Sequence, residues 1–198
     1  MLMPHLDAKP YPNSTTIMRI RIAVKTLVLA ALVAGTTGCG YNRIQQLDEA
    51  AAKAKQNISV QLQRRADLVP NLVETVKGYA KQEAEIFESV AQARGALAGA
   101  VSSGDLGQMS TASTQLNGAL GRLLAISESY PQLKSNENFI RLQDELAGTE
   151  NRIGVARTDY NSAVNEYNTY IRTFPAVLTA KVMGSAAREY FEIGRAHV

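Results

Sequence analysis

Between Cys39 and Glu192 the chain has no histidine; its two imidazoles, His5 and His197, sit near the ends. That absence removes Ser-His and Cys-His catalysis, histidine metal sites and histidine phosphorelay from the body of the protein. Cys39 is the only cysteine, so neither an intrachain disulfide nor a cysteine zinc site can form. Tryptophan is missing, phenylalanine and tyrosine are sparse, and after Cys39 only Pro70, Pro131 and Pro175 interrupt the chain. The formal charge of +3 is also misleading. Lys9, Arg19, Arg21 and Lys25 precede Cys39 and Arg195 follows Glu192, with Asp7 the sole acid at those ends; the rest carries 16 basic against 17 acidic side chains. A body so close to neutral gives no reason to expect a nucleic-acid surface.

What is present begins with an address. Thr26 to Gly38 reads TLVLAALVAGTTG, 13 uncharged residues preceded by Arg19, Arg21 and Lys25. This is the basic start and short apolar stretch of an export signal. A helix needs about 20 mostly apolar residues to span a bilayer core, so a membrane-crossing helix is marginal here. Cys39 directly follows Thr36-Thr37-Gly38, which resembles a bacterial lipoprotein processing site, although Thr36 stands where a leucine is usual. Cys39 is therefore the expected lipidation residue, and an uncleaved signal anchor is the competing reading. Either way the basic residues precede the apolar run, which predicts a domain on the extracytoplasmic, periplasmic side. Residues 18–38 read as the signal or anchor, residues 1–17 as a mis-assigned start or disordered leader, and residues 39–192 as the folded body. The final Ile193-Gly-Arg-Ala-His-Val matches the translation of a common sequencing-adapter read and is set aside from the fold.

The body carries apolar residues at spacings of three and four. One stripe runs through Phe139, Leu142, Leu146, Thr149, Ile153, Ala156, Tyr160, Ala163, Tyr167, Tyr170 and Phe174, predicting a long helix capped by Ser135 or Asn136 and stopped by Pro175. A second runs from Met109 through Leu116 and Leu123 to Tyr130. Ile44, Leu47, Ala51, Ala54, Ile58 and Leu62 form a third before Pro70, and Leu72, Val76, Tyr79, Ile86, Val90, Ala93 and Leu97 a fourth after it. Pro70 then either opens a helix at its first position or kinks a continuous rod. Ser102 to Gly107 reads as a turn, and Ala176 to Phe191 as a short terminal helix offering Val177, Leu178, Val182 and Phe191. No segment shows strand alternation. The fold class is all-α: an elongated antiparallel, coiled-coil-like bundle of three to four long helices plus a short C-terminal helix.

Gln61 to Glu83, QLQRRADLVPNLVETVKGYAKQE, closely resembles the signature of the LemA family of membrane-anchored helical-bundle proteins of bacteria. Gly40-Tyr41-Asn42, Asn138-Phe139, LQDELAGTENRIGVARTDYNSAVNEYN from Leu142 to Asn168 and Phe174-Pro175 extend the resemblance over about Tyr41 to Glu192. It implies an antiparallel helical bundle on the outer side of a membrane, and it does not imply an enzyme.

The candidate polar cluster is Arg64, Arg65, Asp67, Pro70, Asn71 and Glu74. Arg64 or Arg65 with Asp67 could form an ion pair near Pro70, and Asn71 could cap or bridge helices. Such groups ordinarily fix helix register; the functional alternative is a docking surface for another envelope protein or a lipid headgroup. Glu74, Glu83, Glu145 and Glu150 could be imagined as a carboxylate metal site, but bundles of that kind take a Glu-x-x-His from each of two helices, which this chain lacks. They read as solvated charges and surface pairs. No cofactor and no metal is expected, and no Ser-Lys pair is singled out by its spacing. Tyr160, Tyr167 and Tyr170 fall at core spacing, with their hydroxyls expected to find polar partners at helix boundaries. The leading expectation is a non-enzymatic, membrane-tethered interaction or scaffold module of the cell envelope, with an envelope protein as partner. A carrier holding a lipid or peptide in an apolar cavity is the alternative, and a hydrolase comes third.

Overall fold

The computed structural model describes residues 14–191, excepting the side chains at 14–17, 20 and 28–39. The Cys39 side chain, most of the proposed leader and the adapter-like tail therefore lie outside the described residues. Those described are helical, without a strand: α1 (Ser14–Lys77), α2 (Ala84–Ser103), α3 (Leu106–Ser129), the single turn α4 (Pro131–Lys134), α5 (Glu137–Tyr170) and α6 (Ala176–Met183).

α1 and α5 form the most extensive helix pair, and α2 packs chiefly on α3. The α1–α5 pair runs antiparallel, since Arg43 bonds Glu166 while Arg65, further along α1, bonds Glu150, earlier in α5. Its seam is apolar: Ala51, Ile58 and Leu62 of α1 are buried with Leu142, Leu146, Ile153 and Ala156 of α5. Met109, Leu116 and Leu123 of α3 and Val90 and Leu97 of α2 complete the same core. A smaller cluster of Ile44, Leu47, Tyr167, Ile171 and Ala180 closes the end where α6 packs.

Local chemistry sets the ends. Asp105 Oδ1 accepts from Gln108 N at 2.7 Å to open α3, and Asn136 Oδ1 accepts from Phe139 N at 3.0 Å to open α5. Of the two expected caps for α5, Asn136 serves. Gly104, at φ 70°, takes the left-handed conformation that ends α2.

Three expectations about the helices are corrected. Of the two readings of Pro70, the helix start is overturned and the continuous rod holds: α1 runs through it to Lys77, and the chain turns at residues 78–83. Proline has no N–H, so the Ala66 carbonyl four residues back loses its helical donor; Arg94 Nε of α2 donates to it at 3.0 Å and repairs the gap. The α5 stripe does not keep a strict period of seven, for Val164 rather than Ala163 is buried and Phe174 is exposed beyond the helix end. A 3.6-residue helix drifts about 20° per heptad against a seven-residue repeat, which moves the inward position by one residue over this length. Finally, the terminal helix stops at Met183, where Gly184 at φ 66° caps it. Its buried face is Ala176 and Ala180, whereas Leu178 and Val182 are exposed and Phe191 is buried outside any helix.

The core argument gives a direct test. Leu62→Ala, at a fully buried seam position, is expected to lower the unfolding free energy by about 2–5 kcal/mol in urea titrations. Val60→Ala, on the exposed side of the same turn, is expected to change it by no more than about 0.5 kcal/mol.

Candidate functional site

The predicted polar cluster divides between interior and surface. Arg65 is 7 % exposed and ion-pairs with Glu150 across the α1–α5 seam, instead of with Asp67. Asp67 is exposed and accepts from Gln63 Nε2 at 2.8 Å. Arg64, Asn71 and Glu74 are exposed as well, and Glu74 takes Lys77 Nζ at 3.3 Å. Pro70 is half-buried. Asn71 takes part through its carbonyl, which accepts from Thr75 Oγ1 at 2.8 Å.

The interior group is larger than the sequence indicated. Arg157, two turns along α5 from Glu150, donates to Ser113 Oγ of α3 at 3.1 Å, and its guanidinium stacks 4.8 Å from the centroid of the Phe191 ring. Burial, then the neighbouring charge of Arg157, lowers the Arg65 pKa from its ordinary value to about 10. Burial lowers that of Arg157 too. A folded-state value below the unfolded one means that the fold disfavours the charged form; for Arg65 that cost is fully present below about pH 10 and declines above it. Gln61 Oε1 and Asn117 Oδ1, each one turn from a member of the group, are buried without a hydrogen bond.

A second polar array runs along α5 and was missed by sequence reasoning. After Gly184 the chain extends and lies antiparallel to α5 as a strap over residues 185–191. Asn168 binds Arg188 through both backbone groups: its Nδ2 donates to the Arg188 carbonyl at 2.9 Å and its Oδ1 accepts from Arg188 N at 2.8 Å. Asn161 does the same to Phe191, at 3.2 and 2.8 Å. The Tyr160 hydroxyl donates to the Glu189 carbonyl at 2.8 Å and that of Tyr167 to the Ala186 carbonyl at 3.2 Å. The tyrosines are packed as expected, but the partners of Tyr160 and Tyr167 lie on the strap and not at a helix boundary, while Tyr170 is half-buried. Burial is the largest cause of a raised Tyr160 pKa, so this hydroxyl remains a donor at neutral pH. Arg188 Nε bonds Asp48 Oδ1 of α1 at 2.7 Å, and that bond raises the Arg188 pKa above its ordinary value. The signal in the sequence was the Tyr-Asn pair repeated after seven residues, Tyr160-Asn161 and Tyr167-Asn168.

None of this converges on chemistry. Among the described residues no group of three or more His, Cys, Asp or Glu could hold a metal ion. Glu74, Glu83 and Glu145 are accounted for at the surface or in the 78–83 turn; Glu150 serves Arg65. A groove of about 750 Å³ between α2 and α3 is lined by Ser89, Gln92, Gln115 and Arg122 together with alanines and opens to solvent.

The class defined by these features is an all-helical bundle, several of whose interior polar groups bind its own chain across helices and strap. Comparison with known proteins agrees: the LemA family model matches residues 54–198, and the chain belongs to the LemA family. It is similar to magnetosome protein MamQ 2 of Paramagnetospirillum magneticum, 28 % identical over 194 residues, covering 86 % of this chain and 71 % of that protein. It is similar also to magnetosome protein MamQ of Magnetospirillum gryphiswaldense, 29 % identical over 197 residues, covering 88 % and 72 %.

Two outcomes follow from the geometry. Glu150→Ala leaves a buried guanidinium without its carboxylate and is expected to cost about 1–3 kcal/mol, moderated because Glu150 is partly exposed; adding Arg65→Met should restore most of the loss. Asn161→Ala with Asn168→Ala removes four hydrogen bonds to the strap. Hydrogen exchange at the Arg188 and Phe191 amides should then accelerate at least about tenfold, with the α1 and α5 amides near Ile58 and Ile153 unchanged.

Proposed function

We propose that this protein is a non-enzymatic, membrane-tethered helical bundle that works as an interaction or scaffold module of the bacterial cell envelope. The observation that carries this reading is the division of its polar residues. Those inside the bundle, Arg65, Arg157, Asn161 and Asn168, bond across helices and to the strap. By contrast Arg64, Asp67, Asn71 and Glu74 recur at spacings of three and four, forming one exposed stripe on α1 with Val60 beside them. An exposed helix face mixing charge with an apolar side chain suits a protein partner better than a small-molecule substrate. The interior pair Arg65–Glu150 takes the register-setting role, by the best-attested use of buried ionic groups.

The tether lies in residues 26–39, either through a lipid on Cys39 or as a single helix, with the body on the extracytoplasmic side. No helix is long and apolar enough to cross a membrane among the described residues, which do not include the side chains at 28–39. The family membership and the resemblance to proteins named for the magnetosome support a role in a cellular structure rather than in a metabolic reaction. A tether also confines the bundle to a surface, raising its effective concentration for partners there.

Photo-crosslinkers placed at Asn71 and at Val155, on a different exposed face, test the assignment in intact envelopes. The Asn71 probe should yield a discrete adduct that Arg64→Glu reduces at least fivefold without moving the thermal transition, and the Val155 probe should not. Equal labelling from both faces, or none from Asn71, would remove the docking stripe.

A further inference from the structure

α6 and the segment just before it leave apolar side chains uncovered at one end of the bundle. Phe174 is 76 % exposed, Leu178 56 % and Val182 90 %, spaced four apart, and the exposed Tyr41 stands at the same end. The opposite side of α6 is anchored through Ala176 and Ala180. Its position along α1 is fixed at Gly40, where an added Cβ would lie 3.3 Å from Thr179 Oγ1. Leu178 is therefore the neighbour of a residue in contact with α1 directly after the apolar run of residues 26–38.

That placement says what covers the patch. Whether the tether is a lipid on Cys39 or the run itself, the membrane boundary falls at about residues 39–40. The 13-residue run spans only about 20 Å as a helix against a hydrocarbon core of about 30 Å, so a helical tether would draw its flanks towards the bilayer. Aromatic and aliphatic side chains beside basic ones suit the interface between headgroups and acyl chains, and the exposed Arg172 and Lys181 flank the patch.

We propose that Phe174, Leu178 and Val182 form a foot that rests in the surface of the bilayer to which the chain is tethered, making α6 a second membrane contact besides the tether. This rests on the tethered reading above. It gives the bundle a set orientation, with α6 against the lipid and the 78–83 turn furthest from it.

The absence of tryptophan supplies the probe. The full chain carrying Leu178→Trp is reconstituted into vesicles of phosphatidylethanolamine and phosphatidylglycerol, with lipids brominated on the acyl chain as contact quenchers; Val182→Trp is a second reporter should the first disturb folding. At least half of the emission should be quenched at either position, whereas Val155→Trp, exposed on α5, should lose less than a tenth. Flotation of the same samples separates the two ways of failing. A chain that floats while Leu178→Trp and Val182→Trp are quenched no more than Val155→Trp overturns the foot and leaves the tether. A chain that does not float overturns the tether and the foot with it. Blue-shifted emission that depends on protein concentration and ignores bromine would mean a protein covers the patch, and would also overturn the proposal.

Discussion

The molecule depends on the apolar seam between α1 and α5. Ala51, Ile58 and Leu62 meet Leu146, Ile153 and Ala156 there, and burial of these side chains is the dominant favourable term available to a chain with no disulfide and no metal centre in its described part. The small alanines let two long helices lie close, while the leucines and isoleucines fill the space between them. α2 and α3 lean on this pair as a hairpin, and α6 closes one end. An individual seam substitution is therefore felt well beyond its own turn.

The seam also determines where polar groups can be tolerated. Arg65 enters it only because Glu150 meets it from the opposing helix. Arg157 does so by sharing itself between the Ser113 hydroxyl and the ring of Phe191. A different solution appears at Pro70: a side chain from α2 donates to the carbonyl that proline deprives of its N–H, so a defect in one helix becomes a contact between two. The strap follows the same logic. Asn161 and Asn168 each offer a donor and an acceptor, as a neighbouring β-strand would, and thus satisfy an extended backbone that has no sheet to join.

Periodicity made the helical character legible, along with most inward positions of α1, α3 and α5, because the core needs apolar residues wherever a helix faces it. Exact boundaries were harder. A proline draws attention as a helix start, yet the break fell at Gly78, since Arg94, remote in sequence, repairs the site at Pro70. The same remoteness hid the Arg65–Glu150 pair: Asp67 is nearer in sequence, but its position on α1 faces solvent. The strap was illegible for another reason. Residues 185–191 have no periodicity of their own and take their shape from hydrogen bonds supplied by α5. Only the repeated Tyr-Asn pair gave a sign of it, and that pair also satisfied a packing stripe.

α1 runs without interruption from the apolar run through the bundle to Lys77. From Gly40 to Lys77 that is a stiff rod of about 56 Å. Its carbonyl ladder is spliced at the one place where it would otherwise give. A push or rotation applied at the lower end is thus delivered, little attenuated, to the loop at 78–83, making this helix as much a lever as a wall.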